Sequence, residues 1–372
     1  MGKFGKKKEI NLNPLHYNIG LLGESGIGKT TIIKEICEKI AGEDGYIAFD
    51  IGKEDGHEAI SGIVSEPIWD WKKFKEVTDD IVENKDSEYP NLQVVVIDTY
   101  DEFCRIAEDE AVRLWNKSHS DKKAETINGA WGGFGKGLDK TIELMLESLW
   151  ELKKVGVSFI IVGHTKKKDV DDVVSEEQYS TLTSNATQKY FNAIKTKLHF
   201  LGLAYIDREI VKEKTRKKDK DGNIIMKGRV TGESRVISFR DDTYSVDSKS
   251  RFADIVDRIN FDSDAFIKAM EDAILTEHSK GSLTVEESLK KQKKEDKERK
   301  QEATKYSNER KKNHFDIEEN EGYIEIIKDK LMGAKDDVKN EVKSIMAEYN
   351  IKNFKSVEVP TEGLKKIAKL LS

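Results

Sequence analysis

The clearest chemistry in the chain sits in eight consecutive residues, Gly23-Glu24-Ser25-Gly26-Ile27-Gly28-Lys29-Thr30. A Gly, four variable residues and then Gly-Lys-Thr is the pattern of a phosphate-cradling loop, whose backbone N–H groups wrap the β- and γ-phosphates. Lys29 would reach the β/γ oxygens, and the Thr30 hydroxyl would hold Mg²⁺. Glycine is needed where a Cβ would block close approach or forbid positive φ. The expected nucleotide contacts are Gly23, Glu24, Ser25, Gly26, Ile27, Gly28, Lys29, Thr30 and Thr31.

A second group of candidates lies further along. Val94-Val95-Val96-Ile97-Asp98 is an apolar run ending in a carboxylate, placed to hold the Mg²⁺ shell. Water activation needs a further carboxylate. In RecA-type ATPases, which this pairing of glycine loop and strand-end Asp resembles, that carboxylate comes from the end of the second strand. There Glu54, in the loop after Phe49-Asp50-Ile51, is one candidate and Asp50 the competing one. His164 leaves the carboxyl end of Phe159-Ile160-Ile161-Val162-Gly163, where it could sense a γ-phosphate.

These residues need elements to hold them. Strand-like runs occur at 17–22, 46–51, 93–98, 157–163, 196–212 and 235–240, with helices between them at 30–41, 67–83, 100–116 and 136–155. The short β-branched runs predict a parallel sheet covered on both faces by helices, an α/β fold. Asp221-Gly222 between two alternating runs predicts an antiparallel β extension. The expected organisation is a basic tail over 1–14, a core over 15–279, a charged linker over 280–313 that is either a solvated helix or disordered, and a small α-helical C-terminal module over 314–372. In that module Ile324, Ile327, Leu331, Val338, Val342, Ile345 and Met346 suggest two amphipathic helices, and Leu364, Ile367, Leu370 and Leu371 a third.

The bulk composition narrows the partners. The net charge of −6 does not advertise nucleic acid, although charged residues make up 36% and can cluster locally. Cys37 and Cys104 lie in apolar helical contexts and read as small core residues, which fits a cytoplasmic location. No run of about 18 apolar residues is present. The basic start lacks the apolar stretch of a secretory signal.

Taken together, the chain resembles RecA-like P-loop NTPases, in particular the phage branch of single-strand-annealing-associated ATPases. The resemblance rests on GESGIGKTT, on VVVIDT, on NGAWGGFGKGLDKTIELMLESL before FIIVGHT, and on the polar run after His164. It covers about residues 15–260. It implies a RecA-like core that binds ATP and Mg²⁺, hydrolyses ATP, acts on single-stranded DNA in recombination or annealing, and forms a homo-oligomeric ring or filament. A nucleotide-gated DNA-binding partner with little turnover and a replication motor or helicase loader are the alternatives. By the same resemblance, Lys249 and Arg251 would reach a neighbouring subunit's ATP. The segments 116–137, with Trp131 and Phe134, and 165–190, with Lys166, Lys167 and Lys168, would contact DNA. Trp131 could instead pack under the glycine turn. The basic residues Arg216, Lys217 and Lys218 offer a second phosphate contact, and the C-terminal module could capture a single-strand-binding protein. Many AAA-type ATPases place Glu directly after the metal-binding Asp. Thr99 stands there, which argues against that pattern.

Overall fold

The computed structural model describes residues 9–52, 56–119, 121–171, 178–218, 220, 224–240 and 250–371. Strands are β1 (Ile19–Gly23), β2 (Tyr46–Ile51), β3 (Ser65–Ile68), β4 (Val94–Asp98), β5 (Ser158–Asp171), β6 (Gln178–Ser184), β7 (Phe200–Lys218), β8 (Ile224–Ser238) and β9 (Arg258–Asn260). Helices are α1 (Lys29–Ala41), α2 (Trp71–Asn84), α3 (Tyr100–Ser118), α4 (Lys136–Lys154), α5 (Gln188–Lys195), α6 (Ser263–Ser279), α7 (Val285–Asn313), α8 (Ile317–Leu331), α9 (Asp336–Glu348) and α10 (Thr361–Leu371). Among the described residues, no helix is long and apolar enough to cross a membrane.

The sheet order is β3-β2-β4-β5-β1-β7-β8-β9, with β6 paired to β5. Strands β3 to β7 along that path are parallel, and β6, β8 and β9 are antiparallel to their partners. This is the expected parallel sheet with an antiparallel extension. Strand alternation divides the core. Leu21, Val94, Val96, Ile160 and Val162 pack in one cluster with Ile32, Ile33 and Ile36 of α1 and with Phe266 and Met270 of α6. The residues between them, Val95, Ile97, Phe159 and Ile161, are buried on the opposite face, where α3 and α4 pack on the sheet.

Two strands run well past the parallel region. Gly23, the last residue of β1, is level with His164 on one side and Ala204 on the other. Beyond His164, β5 continues seven residues as a ribbon with β6, from Thr165↔Ser184 to Asp171↔Gln178. The flexible polar loop expected over 165–190 is therefore largely an antiparallel ribbon followed by α5. Beyond Ala204, β7 continues to Lys218 in a second ribbon with β8. At about 3.3 Å per residue these projections reach about 23 Å and about 45 Å.

The chain divides into two compact units, Met1–Thr78 with Asn91–Asp296, and Asp79–Pro90 with Lys297–Ser372. In the second, Ile324, Ile327, Val342, Tyr349, Ile351, Leu364 and Ile367 form a separate core between α8, α9 and α10. Asp316 caps α8 by accepting from the Glu319 N–H at 3.0 Å, and Asn320 donates to the Val357 and Val359 carbonyls at 2.7 Å each. The charged stretch over 280–313 is mostly the single helix α7.

Candidate functional site

The phosphate loop has the geometry its sequence predicts. Strand β1 ends at Gly23 and α1 begins at Lys29, with Gly28 as its N-cap at φ 105°. A side chain is disfavoured at that φ, and an added Cβ would also lie 3.4 Å from the Phe261 ring. The free N–H groups and dipole of α1 face the loop, which suits an anion. Lys29 is buried, and its Nζ donates to the Gly23 carbonyl at 3.1 Å and the Glu24 carbonyl at 2.9 Å. Its ammonium is thus held within the loop.

The Thr30 hydroxyl donates to Asp98 Oδ2 at 2.6 Å. Sequence reasoning placed these two residues at one metal site, and the fold brings them together across 68 positions. Asp98 is only 6% exposed and is also approached by His57 Nε2 at 3.2 Å. A hydroxyl beside a carboxylate is an oxygen donor set that fits Mg²⁺, which takes few protein ligands and completes its shell with phosphates and water. Thr30 and Asp98 would hold the ion, which would supply charge neutralisation at the β- and γ-phosphates.

His57 was not anticipated. It stands in the short helical turn Gly56–Ala59 after β2 and is 6% exposed. Its Nδ1 is buried without a hydrogen-bond partner among the described residues. A lone histidine in a glycine-rich loop has no periodic signal, and only the folding of that loop over Asp98 makes it visible.

His164 lies within β5 rather than at its end. Its N–H donates to Asp101 Oδ2 at 2.9 Å, and its Nδ1 is 3.4 Å from the same oxygen. The first turn of α3 therefore anchors the strand at the level of Gly23. Asp101 was missed, although its place three residues after Asp98 was a usable signal. Glu102 was missed too. Its carboxylate packs against Gly52, where an added Cβ would meet Oε2 at 2.2 Å, and it accepts from Arg105 Nε at 2.7 Å. Arg235 of β8 puts a further cation beside the loop, its Nη1 donating to the Ile27 carbonyl at 3.4 Å.

Of the two carboxylates expected to activate water, Asp50 is opposite Asp98 in register between β2 and β4. Glu54 lies outside the described residues. Thr99, standing where a Glu was looked for, is the N-cap of α3 and accepts from the Glu102 N–H. It is buried and committed to that helix.

Lys249 also lies outside the described residues. Arg251 is not at the phosphate loop of its own chain. Its N–H donates to the His199 carbonyl at 2.8 Å and its Nη2 to the Thr196 carbonyl, next to the amino end of β7. Burial, together with Arg251 and Lys153, pushes the His199 ring down from 6.5 to about 4. Its Nδ1 accepts from the Asn18 N–H at 3.2 Å, a bond that requires an unprotonated nitrogen. The unfolded chain therefore takes up this proton first, and stability is lost as pH falls from about 6.5 to about 4. Discounted for the ring's partial exposure, the loss is about 1–2 kcal/mol. Thermal melting at pH 7 and pH 4.5 checks this, and His199→Gln should remove that share of the slope.

The glycine turn before α4 settles Trp131. Its Nε1 donates to the Ala111 carbonyl at 3.0 Å and its ring lies 5.8 Å from that of Trp115, so it packs under the turn. Phe134 is fully exposed and is left free to stack. Residues 131–135 all have positive φ, including the non-glycines Trp131 at 58° and Phe134 at 49°. Lys166, Lys167 and Lys168 lie on the β5 ribbon. Lys166 donates to the Asn185 carbonyl, Lys167 is 3.8 Å from Asp169 and Lys168 donates to Gln188.

A family model described as an AAA domain matches residues 16–252. No curated protein matches the chain. The match spans the phosphate loop, Asp98, His164 and both ribbons. Thr99, which stands where many AAA-type ATPases carry a Glu, lies within the matched residues.

Proposed function

The chain belongs to the AAA domain family, whose members are generally ATPases, and from that premise we propose an ATP-driven switch that acts on single-stranded DNA in phage recombination or annealing. One observation carries this reading. The loop-bearing strand β1 lies between β5 and β7, and both neighbours run on past the loop into ribbons. A γ-phosphate at Gly23 would act on His164 at the same level of the sheet. His164 is the last residue before Thr165, where the ribbon carrying Lys166, Lys167 and Lys168 begins. Nucleotide state would thereby set the position of groups able to neutralise DNA phosphates. Phe134 adds an exposed ring for base stacking.

In this reading subunits associate side by side, and Lys249 and Arg251 serve a neighbour's ATP. The C-terminal unit would act as a tethered capture module for a single-strand-binding protein. A second reading, a nucleotide-gated DNA binder with little turnover, is favoured by Thr99, which caps α3 in place of a water-activating Glu.

The rate of ATP hydrolysis with and without single-stranded DNA separates them. Stimulation of tenfold or more supports the ATPase. ATP-dependent retention on DNA without hydrolysis supports the binder. Failure to bind either ATP or DNA would overturn both.

A further inference from the structure

The β7/β8 ribbon has two unlike faces. Its register aligns Ile210 with Val230 and Lys212 with Gly228, and alternation puts Ile224 and Met226 on that same face. Ile210, Ile224, Met226 and Val230 are 61%, 45%, 47% and 49% exposed. Gly228 lies beneath Ile210, where an added Cβ would come within 2.9 Å of Ile210 Cγ2. On the other face Arg229 Nη1 lies 3.1 Å from Glu213 Oε1, with the exposed Val211 beside them. A two-stranded ribbon alone in water is marginal, so an apolar stripe along it calls for a cover.

Charge points to the cover. Residues 210–230 hold eight Lys or Arg against three Asp or Glu, a surplus of five, so the rest of the −6 chain carries −11. The body of the core also has a cleft of about 500 Å³. It is walled by Val112, Ile127 and Leu138 and rimmed by Glu108, Asp109 and Glu125. Tyr190 fixes Glu108 through a 2.5 Å hydrogen bond, and Arg105 already pairs with Asp109.

We propose that the β7/β8 ribbon of one copy docks, through Ile210, Ile224, Met226 and Val230, in the acidic cleft between α3 and α4 of a second copy. The stripe continues the strand positions of Ala204 and Ile206, which pack on the α1 side of the sheet. The cleft is built from α3 and α4, which pack on the other side. Ribbon and cleft are therefore different patches of one surface. Their contact is head-to-tail and adds copies in one direction, into a ring or a filament. The inference rests on the self-association included in the proposed function and names the surface that makes it.

Sedimentation velocity on the full chain with Mg²⁺-ATP tests it. Wild type should self-associate with rising concentration. Ile210→Asp, a ribbon defect at an exposed position, should weaken association at least tenfold. Asp109→Lys with Glu125→Lys, a cleft defect, should do the same. An equimolar mixture of the two variants should form a heterodimer and nothing larger, because one ribbon and one cleft remain intact between them. Unchanged association of either variant would overturn the proposal, as would a mixture that stays monomeric. An Ile210→Asp variant that assembles normally but loses oligonucleotide affinity would also overturn it, making the ribbon a nucleic-acid arm. Binding of a fluorescent ATP analogue to wild type reads the nucleotide site separately. A wild type that binds the analogue yet stays monomeric overturns the ribbon proposal and the self-association it rests on, and leaves the nucleotide site standing.

Discussion

Asp98→Asn should leave nucleotide bound and stop its turnover. The carboxylate is buried, takes a 2.6 Å hydrogen bond from Thr30 and faces His57 at 3.2 Å. Asparagine keeps the shape but removes the negative charge that would draw Mg²⁺ to that point. The Thr30 hydroxyl can rotate to accept from the new amide, so the fold should tolerate the exchange. Loss of one fixed charge near a transferring phosphoryl group costs about 10²–10³-fold in rate, or about 3–4 kcal/mol of barrier. Single-turnover hydrolysis, with the nucleotide dissociation constant measured beside it, gives the answer. A variant that hydrolyses ATP at the wild-type rate would remove Asp98 from the metal site.

Lys29→Ala should act one step earlier, on binding. Nζ is the only cationic group donating to the loop carbonyls of both Gly23 and Glu24 among the described contacts, and it is 6% exposed. A charge-assisted contact to phosphate in such a site is lost outright with alanine. Affinity should fall about 100-fold, equivalent to about 3 kcal/mol. Calorimetric titration with ATP would measure it directly. Thermal melting gives an independent reading, because nucleotide should raise the melting temperature of wild type and leave the variant unmoved. Retained nucleotide-dependent stabilisation in Lys29→Ala would contradict the loop's assignment.

The parts of the site legible in the sequence were those with local signatures. The glycine loop announces itself between a strand and an amphipathic helix, and Asp98 closes a five-residue apolar run. The parts that were not legible depend on tertiary placement. His57 meets Asp98 only because the loop after β2 folds back over β4. Asp101 meets His164 only because β5 lies beside β4 in the sheet. Strand β3 was missed because Ser65-Glu66-Pro67-Ile68 buries only Ile68 and contains a proline, the composition of an edge. The β5/β6 ribbon read as a loop for a related reason. Its buried positions include the polar Thr181, Thr183 and Ser184, so it shows no apolar alternation. The charged surface of α7 leaves helix and linker equally open in the sequence, since its buried positions include the polar Ser288, Gln292 and Ser307.

The departure of β7 and β8 from the sheet also makes their length adjustable. The core contacts of this pair end near Ala204 and Ile206 on one strand and Ile237 on the other. Beyond that, the described residues form an antiparallel ladder with register shifts at Glu209/Ile210 and Lys214/Lys218, and between the shifts the side chains alternate every two residues. Removing two residues from each strand would shorten the projection by about 7 Å and leave the same side chains on the same face. Removing one from each would turn the surviving stripe over. Reach can therefore be tuned in even steps at almost no expense to the nucleotide site, so related chains can differ in how far they extend while sharing one catalytic centre.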